Sequence, residues 1–290
     1  MPKFLSQDQI REYERDGVVF PIQVLTEGEV VQARVALETL MTTLGEHAGS
    51  ERFRQLHLFH PWARNLALHP RVLDAVEDII GPDILVHSSG VFWKRPRDPG
   101  YVSWHQDGYN SKLNEFRYVN AWLALTDSFP DNGCLRVVRG SHSDGILPHN
   151  RSSVSPDNLI TNGLEVARQV EESDATDINL APGEMSLHHV AIVHGSNPNT
   201  SDRPRIGYSM RYVPPSTRQQ IDHFPVILAR GRDRFGHFPC LEEPPSLSLQ
   251  EAIDAQQELM KWIAVRTIDN PVPLPASTRL RWREAGKPAA

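Results

Sequence analysis

Two cysteines in 290 residues, Cys134 and Cys240, are too few and too far apart for a disulfide framework or a cysteine-rich zinc site. Their scarcity fits a reducing cytoplasm, which is the expected location. No apolar stretch reaches the length of a membrane span. The opening "MPKFLSQDQIREYERDGVVF" carries charges throughout and has no apolar segment of the secretory kind. Lysine and arginine form no long run, and the formal charge is −6. A phosphate-backbone footprint is therefore not expected, and neither nucleic acid nor membrane is an expected partner. Internal repeats and low-complexity tracts are missing too. Proline is plentiful at 23 residues, which favours many loops.

The first 80 residues read as mainly helical. Ser6-x-x-Gln9 and Thr26-x-x-Glu29 have the form of capping boxes. After the second, Val30, Ala33, Leu37, Leu40, Met41 and Leu44 recur at helical spacing and Gly45 ends the run. Pro70 opens a further helix that Gly81 stops. "GVVFP" (17–21) reads as a short strand. From residue 84 the pattern turns to strands: "ILVHSSGVFWK" (84–94), "YVNAWLALTD" (118–127), "LRVVRG" (135–140), "EMSLHHVAIVHG" (184–195) and "RIGYSMRYV" (205–213). Turn-forming segments such as "RPRDPG", "PDNG" and "NPNTSDRP" separate them. Many short strands with irregular connections predict an antiparallel jelly roll with a helical layer. The polar stretch 148–177 reads as a long loop with a short helix over the mouth of the roll. Ser248-x-x-Glu251 opens an amphipathic helix with Ile253, Leu259, Met260, Trp262 and Ile263. With no evident linker, 1–290 is expected to be one domain: a helical layer (1–82), a jelly-roll core (83–215) and a C-terminal extension (216–290) of unassigned role.

The octet "SWHQDGYN" (103–110) sets His105 two residues from Asp107. On a strand such a pair shares a face and can reach one metal ion. Alone, His-x-Asp also arises by chance in polar loops. His194, at the end of the strand-like "VAIV" and before Gly195, is a candidate third ligand. Two imidazoles and one carboxylate leave three positions of an octahedral Fe(II) open, enough for a bidentate oxo acid and O2. Arg205, eleven residues on, could clamp a second carboxylate of such an acid through paired hydrogen bonds.

Taken together, "WHQD" (104–107), "AWLAL" (121–125), "NGCLRVVRGSH" (132–142), "PGEMSLHHVAIVHGSNPN" (182–199) and "RPRIGYSMRY" (203–212) resemble the phytanoyl-CoA dioxygenase family of Fe(II)/2-oxoglutarate-dependent oxygenases. "LSQDQIREYERDGVVF" (5–20) resembles the family's opening helix and strand. The resemblance spans about residues 5–215. It implies a double-stranded β-helix, His105, Asp107 and His194 as iron ligands, and Arg205 on the far carboxylate of 2-oxoglutarate. It further implies a supporting hydrogen bond from Ser196 and a cosubstrate or substrate contact at Lys94. Fe(II), 2-oxoglutarate and O2 are the expected cofactors, with ascorbate stimulatory. Related halogenating enzymes replace the carboxylate with a small residue; Asp107 favours hydroxylation.

Strand alternation puts Gly207, Ser209 and Arg211 on the face of Arg205, the first two leaving space and Arg211 a possible second inward cation. By the same alternation His189 faces away from His194. Gln106, Tyr109, Asn110, Asn120 and Arg211 are the candidate substrate contacts. Their polarity points to a small polar metabolite of the amino acid, phosphonate or compatible-solute type. The alternatives are an acyl-CoA or natural-product intermediate as substrate, or, from other classes, a zinc hydrolase or a non-catalytic jelly-roll binding protein.

Overall fold

The computed structural model describes residues 2–45, 50–109, 111, 113–151, 155–160, 163–218, 225–265, 276–278, 280–283 and 286. The N-terminal half runs α1 (Gln7–Asp16), β1 (Val18–Gln23), α2 (Glu27–Leu44), α3 (Leu56–Phe59), α4 (Pro61–Ala67), α5 (Pro70–Ile80), β2 (Ile84–Lys94), β3 (Val102–His105), β4 (Val119–Ala124) and β5 (Arg136–Val138). The rest is β6 (His149–Asn150), β7 (Glu165–Val166), β8 (Ala175–Asp177), β9 (Glu184–His189), β10 (His194–Ser196), β11 (Arg205–Val213), β12 (Ile227–Arg230), β13 (Cys240–Glu243), α6 (Leu249–Val265) and β14 (Arg281–Arg283). The chain forms two compact units. One comprises Met1–Val30, Phe92–Lys112 and Val119–Ser209; the other comprises Val31–Val91, Leu113–Tyr118 and Met210–Ala290.

In the first unit Ser6 caps α1 through reciprocal bonds with Gln9, as its capping box predicts. Gly17, at φ +74°, then turns the chain into β1. Two sheets follow. β1, β9, β4 and β11 lie side by side in that order, and β3, β10, β5 and β8 form the other sheet. The pairs β1–β9 and β9–β4 are antiparallel, as are all pairs of the second sheet. Val18, Trp122 and Ala124 meet Leu135, Val137, Ile178, Leu180 and Ile192 in one buried core, with Phe20 against it. Burying each large side chain of this kind contributes roughly 1.5–3 kcal/mol. This is the expected jelly roll.

One expected strand is two. "EMSLHHVAIVHG" breaks after His189, where Ile192 N–H bonds back to His189 O at 3.0 Å, and resumes as β10 in the other sheet. The residues of the break, Val190 to Val193, are buried and apolar. Apolar pattern therefore runs straight through the corner, which no turn residue marks. The stretch 148–177 also differs: its described residues hold β6, β7 and β8, and a 3-10 turn at Glu172–Asp174, in place of an α-helix.

In the second unit Pro70 starts α5, which buries Val72, Leu73, Ala75, Val76 and Ile80. β11, β2 and β12 lie in that order, β12 antiparallel to β2. Arg230 of β12 binds Asp74 and Glu77 of α5. α6 buries Ala252, Ile253, Ala255, Leu259 and Trp262, and Gln256 bonds the carbonyl of Arg54. β13 pairs with β14, and Arg283 reaches the fully buried carboxylate of Asp233 at 2.7 Å. The extension whose role was unassigned thus supplies three strands and a helix of this unit. No helix among the described residues is long and apolar enough to cross a membrane.

Candidate metal centre

The antiparallel register of β3 and β10 sets His105 directly opposite His194. Their ring centroids are 4.1 Å apart. Each imidazole is oriented alike: His105 Nδ1 bonds Ser103 O at 2.9 Å, and His194 Nδ1 bonds Ile192 O at 3.0 Å. A carbonyl only accepts, so each Nδ1 carries a hydrogen and Nε2 is the nitrogen each ring can offer a metal. Burial, helped by His105, pushes His194 down to about 3, so it is neutral at ordinary pH.

Asp107 joins them by a route that strand alternation does not describe. β3 ends at His105, and Asp107 opens a 3-10 turn, Asp107–Tyr109. Gly108 N–H bonds Val190 O at 3.0 Å and draws the chain out of the sheet. Asp107 Oδ1 lies 3.6 Å from His105 Nε2. One ligand atom from each of His105, Asp107 and His194 falls within 4.8 Å of the others. Two imidazole nitrogens and one carboxylate oxygen, with ligand atoms within 4.8 Å of one another, are a donor set that fits Fe(II) and leaves further positions open.

A second cluster surrounds Arg205, at the start of β11. The guanidinium is buried, donates from Nε to Gly133 O at 3.1 Å and lies over the Trp122 ring, 5.4 Å from its centroid. Lys94, at the end of β2, is also fully buried; its Nζ donates to Ser196 Oγ at 2.7 Å and to Asn197 O. Burial and the charge of Arg205 pull Lys94 down to about 6, and burial lowers Arg205 to about 10. Gly133 (φ +73°) belongs to this cluster: a Cβ there would meet Asn197 O at 2.4 Å. "PDNG" (130–133) signals the turn, but nothing in the sequence signals this contact. A buried guanidinium, a buried amine and a hydroxyl are donors that fit an anionic carboxylate.

Four of the five expected substrate contacts lie among the described residues. Gln106 is fully buried, and its amide is committed to backbone: Nε2 donates to Gly145 O and Ala191 O, and Oε1 accepts from Leu147 N–H. It braces the ligand strand, where the sequence placed it beside substrate. Asn120 is also turned to another purpose, donating from Nδ2 to Asp107 Oδ2 at 2.6 Å. Tyr109 is partly exposed and stacks on His149, 4.2 Å between centroids. Arg211 belongs to the second unit, where it lies over the Tyr118 ring. Asn110 lies outside the described residues. Sequence reasoning missed His149, whose Nε2 accepts from Gln106 N–H at 3.1 Å. The His188 ring packs 5.3 Å from that of His194.

The chain has relatives of known kind. The family model for phytanoyl-CoA dioxygenase matches residues 13–207. The ectoine dioxygenase of Bordetella bronchiseptica is 26% identical over 236 residues, covering 72% of this chain and 75% of that one. Among solved structures, the non-heme monooxygenase ThoJ in its apo form is 30% identical with a TM-score of 0.74, over 89% of this chain and 99% of that one. The non-heme alpha ketoglutarate dependent carbocyclase SnoK from nogalamycin biosynthesis is 27% identical with a TM-score of 0.59, over 74% and 87%. With a match over two thirds of its length, a jelly roll and a His-Asp-His cluster, the chain belongs to the phytanoyl-CoA dioxygenase family of Fe(II)/2-oxoglutarate-dependent oxygenases.

Proposed function

We propose that His105, Asp107 and His194 hold Fe(II), that Arg205, Lys94 and Ser196 receive the distal carboxylate of 2-oxoglutarate, and that the enzyme hydroxylates a C–H bond of a small polar metabolite. The observation that carries the reading is the cross-strand pair His105–His194 with Asp107 beside it, all three ligand atoms within 4.8 Å. When bound, iron and cosubstrate supply the oxidative power: 2-oxoglutarate and O2 yield succinate and CO2, and one oxygen atom goes to the substrate.

The protein's own part is position and dryness. Ser103 O and Ile192 O hold both imidazoles with Nε2 forward. Asp107 supplies the negative charge of the donor set. Arg205 and Lys94 are already desolvated, so a carboxylate arriving there meets donors at full strength and its charge is not shared with water. Trp122 under the guanidinium keeps that cation in place and excludes solvent. Tyr109, on His149, borders the site on the turn that carries Asp107 and contributes an exposed aromatic surface for substrate.

The small-metabolite reading is supported by the relative named ectoine dioxygenase. A natural-product intermediate is the second reading, favoured by the likeness to a carbocyclase from nogalamycin biosynthesis. The test is succinate formation from 2-oxoglutarate with Fe(II), ascorbate and O2, with and without amines, amino acids, phosphonates, a polycyclic aromatic and an acyl-CoA. Stimulation by one class, lost in His194→Ala, names the substrate. Absence of succinate under every condition, from folded iron-loaded protein, overturns the reading.

A further inference from the structure

β4 reads "VNAWLA", and every residue of it is buried. Asn120 is the one polar side chain among them, 1% exposed. Asparagine is a poor strand former, and a buried amide without a hydrogen-bond partner is destabilising. Its place in this strand therefore calls for a partner, and its Nδ2 meets Asp107 Oδ2 at 2.6 Å. The orientation of the amide follows from chemistry: an ionised carboxylate only accepts, so the NH2 faces it.

We propose that Asn120 is a positioning residue that makes Asp107 a one-oxygen ligand, by holding Oδ2 and leaving Oδ1, 3.6 Å from His105 Nε2, as the ligand atom. This deepens the Fe(II) reading of the His105–Asp107–His194 site and rests on it. The geometry gives the reason. Asp107 sits on a 3-10 turn, not in a sheet, and its side chain is 28% exposed, so the Asn120 amide adds a fixed restraint from the sheet. A carboxylate bound through both oxygens takes two positions of an octahedral ion. With two histidines that leaves only two, enough for a chelating 2-oxo acid but none for O2. Holding Oδ2 with an amide keeps the third position. The β4–β9 register places His188 opposite Asn120, and the His188 ring lies against His194. Neighbouring positions of one sheet thus support two of the three ligands.

The test uses the full chain, stripped of metal, titrated anaerobically with Co(II) in the presence of 2-oxoglutarate. Wild type, Asn120→Leu, Asn120→Asp and Asp107→Ala are compared for dissociation constant and for the Co(II) visible spectrum, with thermal unfolding of each metal-free protein. Asn120→Leu removes the amide; Asn120→Asp keeps its shape but not its donor, so one variant remains if the other fails to fold. The expected result is a loss of Co(II) affinity of about 10- to 100-fold in both Asn120 variants, with a changed spectrum reporting altered coordination. Wild-type affinity and spectrum, or weaker binding with an unchanged spectrum, overturns the proposal while loss of binding in Asp107→Ala keeps the site. If Asp107→Ala also binds as wild type does, the site reading itself falls, and the proposal with it.

Discussion

The indole of Trp122 occupies the space that a side chain at Gly207 would need. A Cβ on Gly207 would lie 2.0 Å from Trp122 Cζ2 and 2.5 Å from Cη2. Alternation along β11 puts Gly207 on the face of Arg205, and the absence of its side chain suggests open space there. The structure fills that space with the ring that lies under the Arg205 guanidinium.

Gly207→Ala is therefore expected to push the indole off Arg205. The overpacked core should lose about 1–3 kcal/mol of stability. The KM for 2-oxoglutarate should rise about tenfold, since a clamp misplaced by a fraction of an ångström loses its paired bonds. Steady-state kinetics and thermal unfolding check both. A destabilised variant with an unchanged KM would show that Trp122 packs without orienting the clamp.

Lys94 is expected to make cosubstrate capture depend on pH. Burial first, and Arg205 second, lower its amine to about 6, so near neutral pH it is mostly uncharged in the free protein. A carboxylate placed beside it favours the charged form, and binding then takes up a proton. The sign follows: the dissociation constant for 2-oxoglutarate should rise as pH climbs from 6 to 8, approaching about tenfold per unit. Lys94→Met should flatten that slope. Calorimetry with Co(II)-loaded protein in buffers of different ionisation heat measures the proton directly; equal uptake by wild type and Lys94→Met would sink the assignment.

Much of this was legible because residue type alone narrows the chemistry. Histidine, aspartate and histidine in order, with an arginine eleven residues later, announce a metal and an oxo acid. Capping boxes at Ser6 and Thr26 announce helices, and both are made in the structure. What could not be read was register and corner geometry. That His105 faces His194 depends on β3 pairing with β10, a long-range choice. The break before β10 falls inside an apolar run, so the alternation that set His189 against His194 counted across a turn. Polar residues near the ligands were assigned to substrate because sequence shows a polar side chain but not its partner. The Gln106 amide is bonded to backbone and the Asn120 amide to Asp107.

Gln106→Leu should expose the brace. The amide holds Gly145 O at 2.8 Å, Ala191 O at 2.5 Å and Leu147 N–H at 2.8 Å. Leucine fills the volume but leaves buried carbonyls and an N–H unbonded, each costing about 1–3 kcal/mol. The expected outcome is a lower Tm and faster amide exchange at Leu147, with the KM for 2-oxoglutarate unchanged because the Arg205 cluster is untouched. A raised KM with normal exchange at Leu147 would mean that Gln106 acts on the cosubstrate after all.

Buried histidines of the second unit should make the metal-free protein acid-sensitive. In the second unit His57 is fully buried and bonds Ser89 Oγ at 2.8 Å through Nδ1. His87 meets the ring of Phe238 edge-on at 5.9 Å. Both are pushed down to about 3, chiefly by burial, with Arg64 acting on His57 and Arg211 on His87. In the unfolded chain each returns to about 6.5. Above 6.5 neither state is protonated at these sites and they do not affect stability. Between 6.5 and 3 the unfolded state binds the extra protons, so stability falls as pH falls, approaching about 1.4 kcal/mol per pH unit for each residue. Urea unfolding at pH 7.5, 5.5 and 4.5 measures the slope. His87→Met should remove one residue's share of it, and an undiminished slope in a folded His87→Met protein would place the acid sensitivity elsewhere.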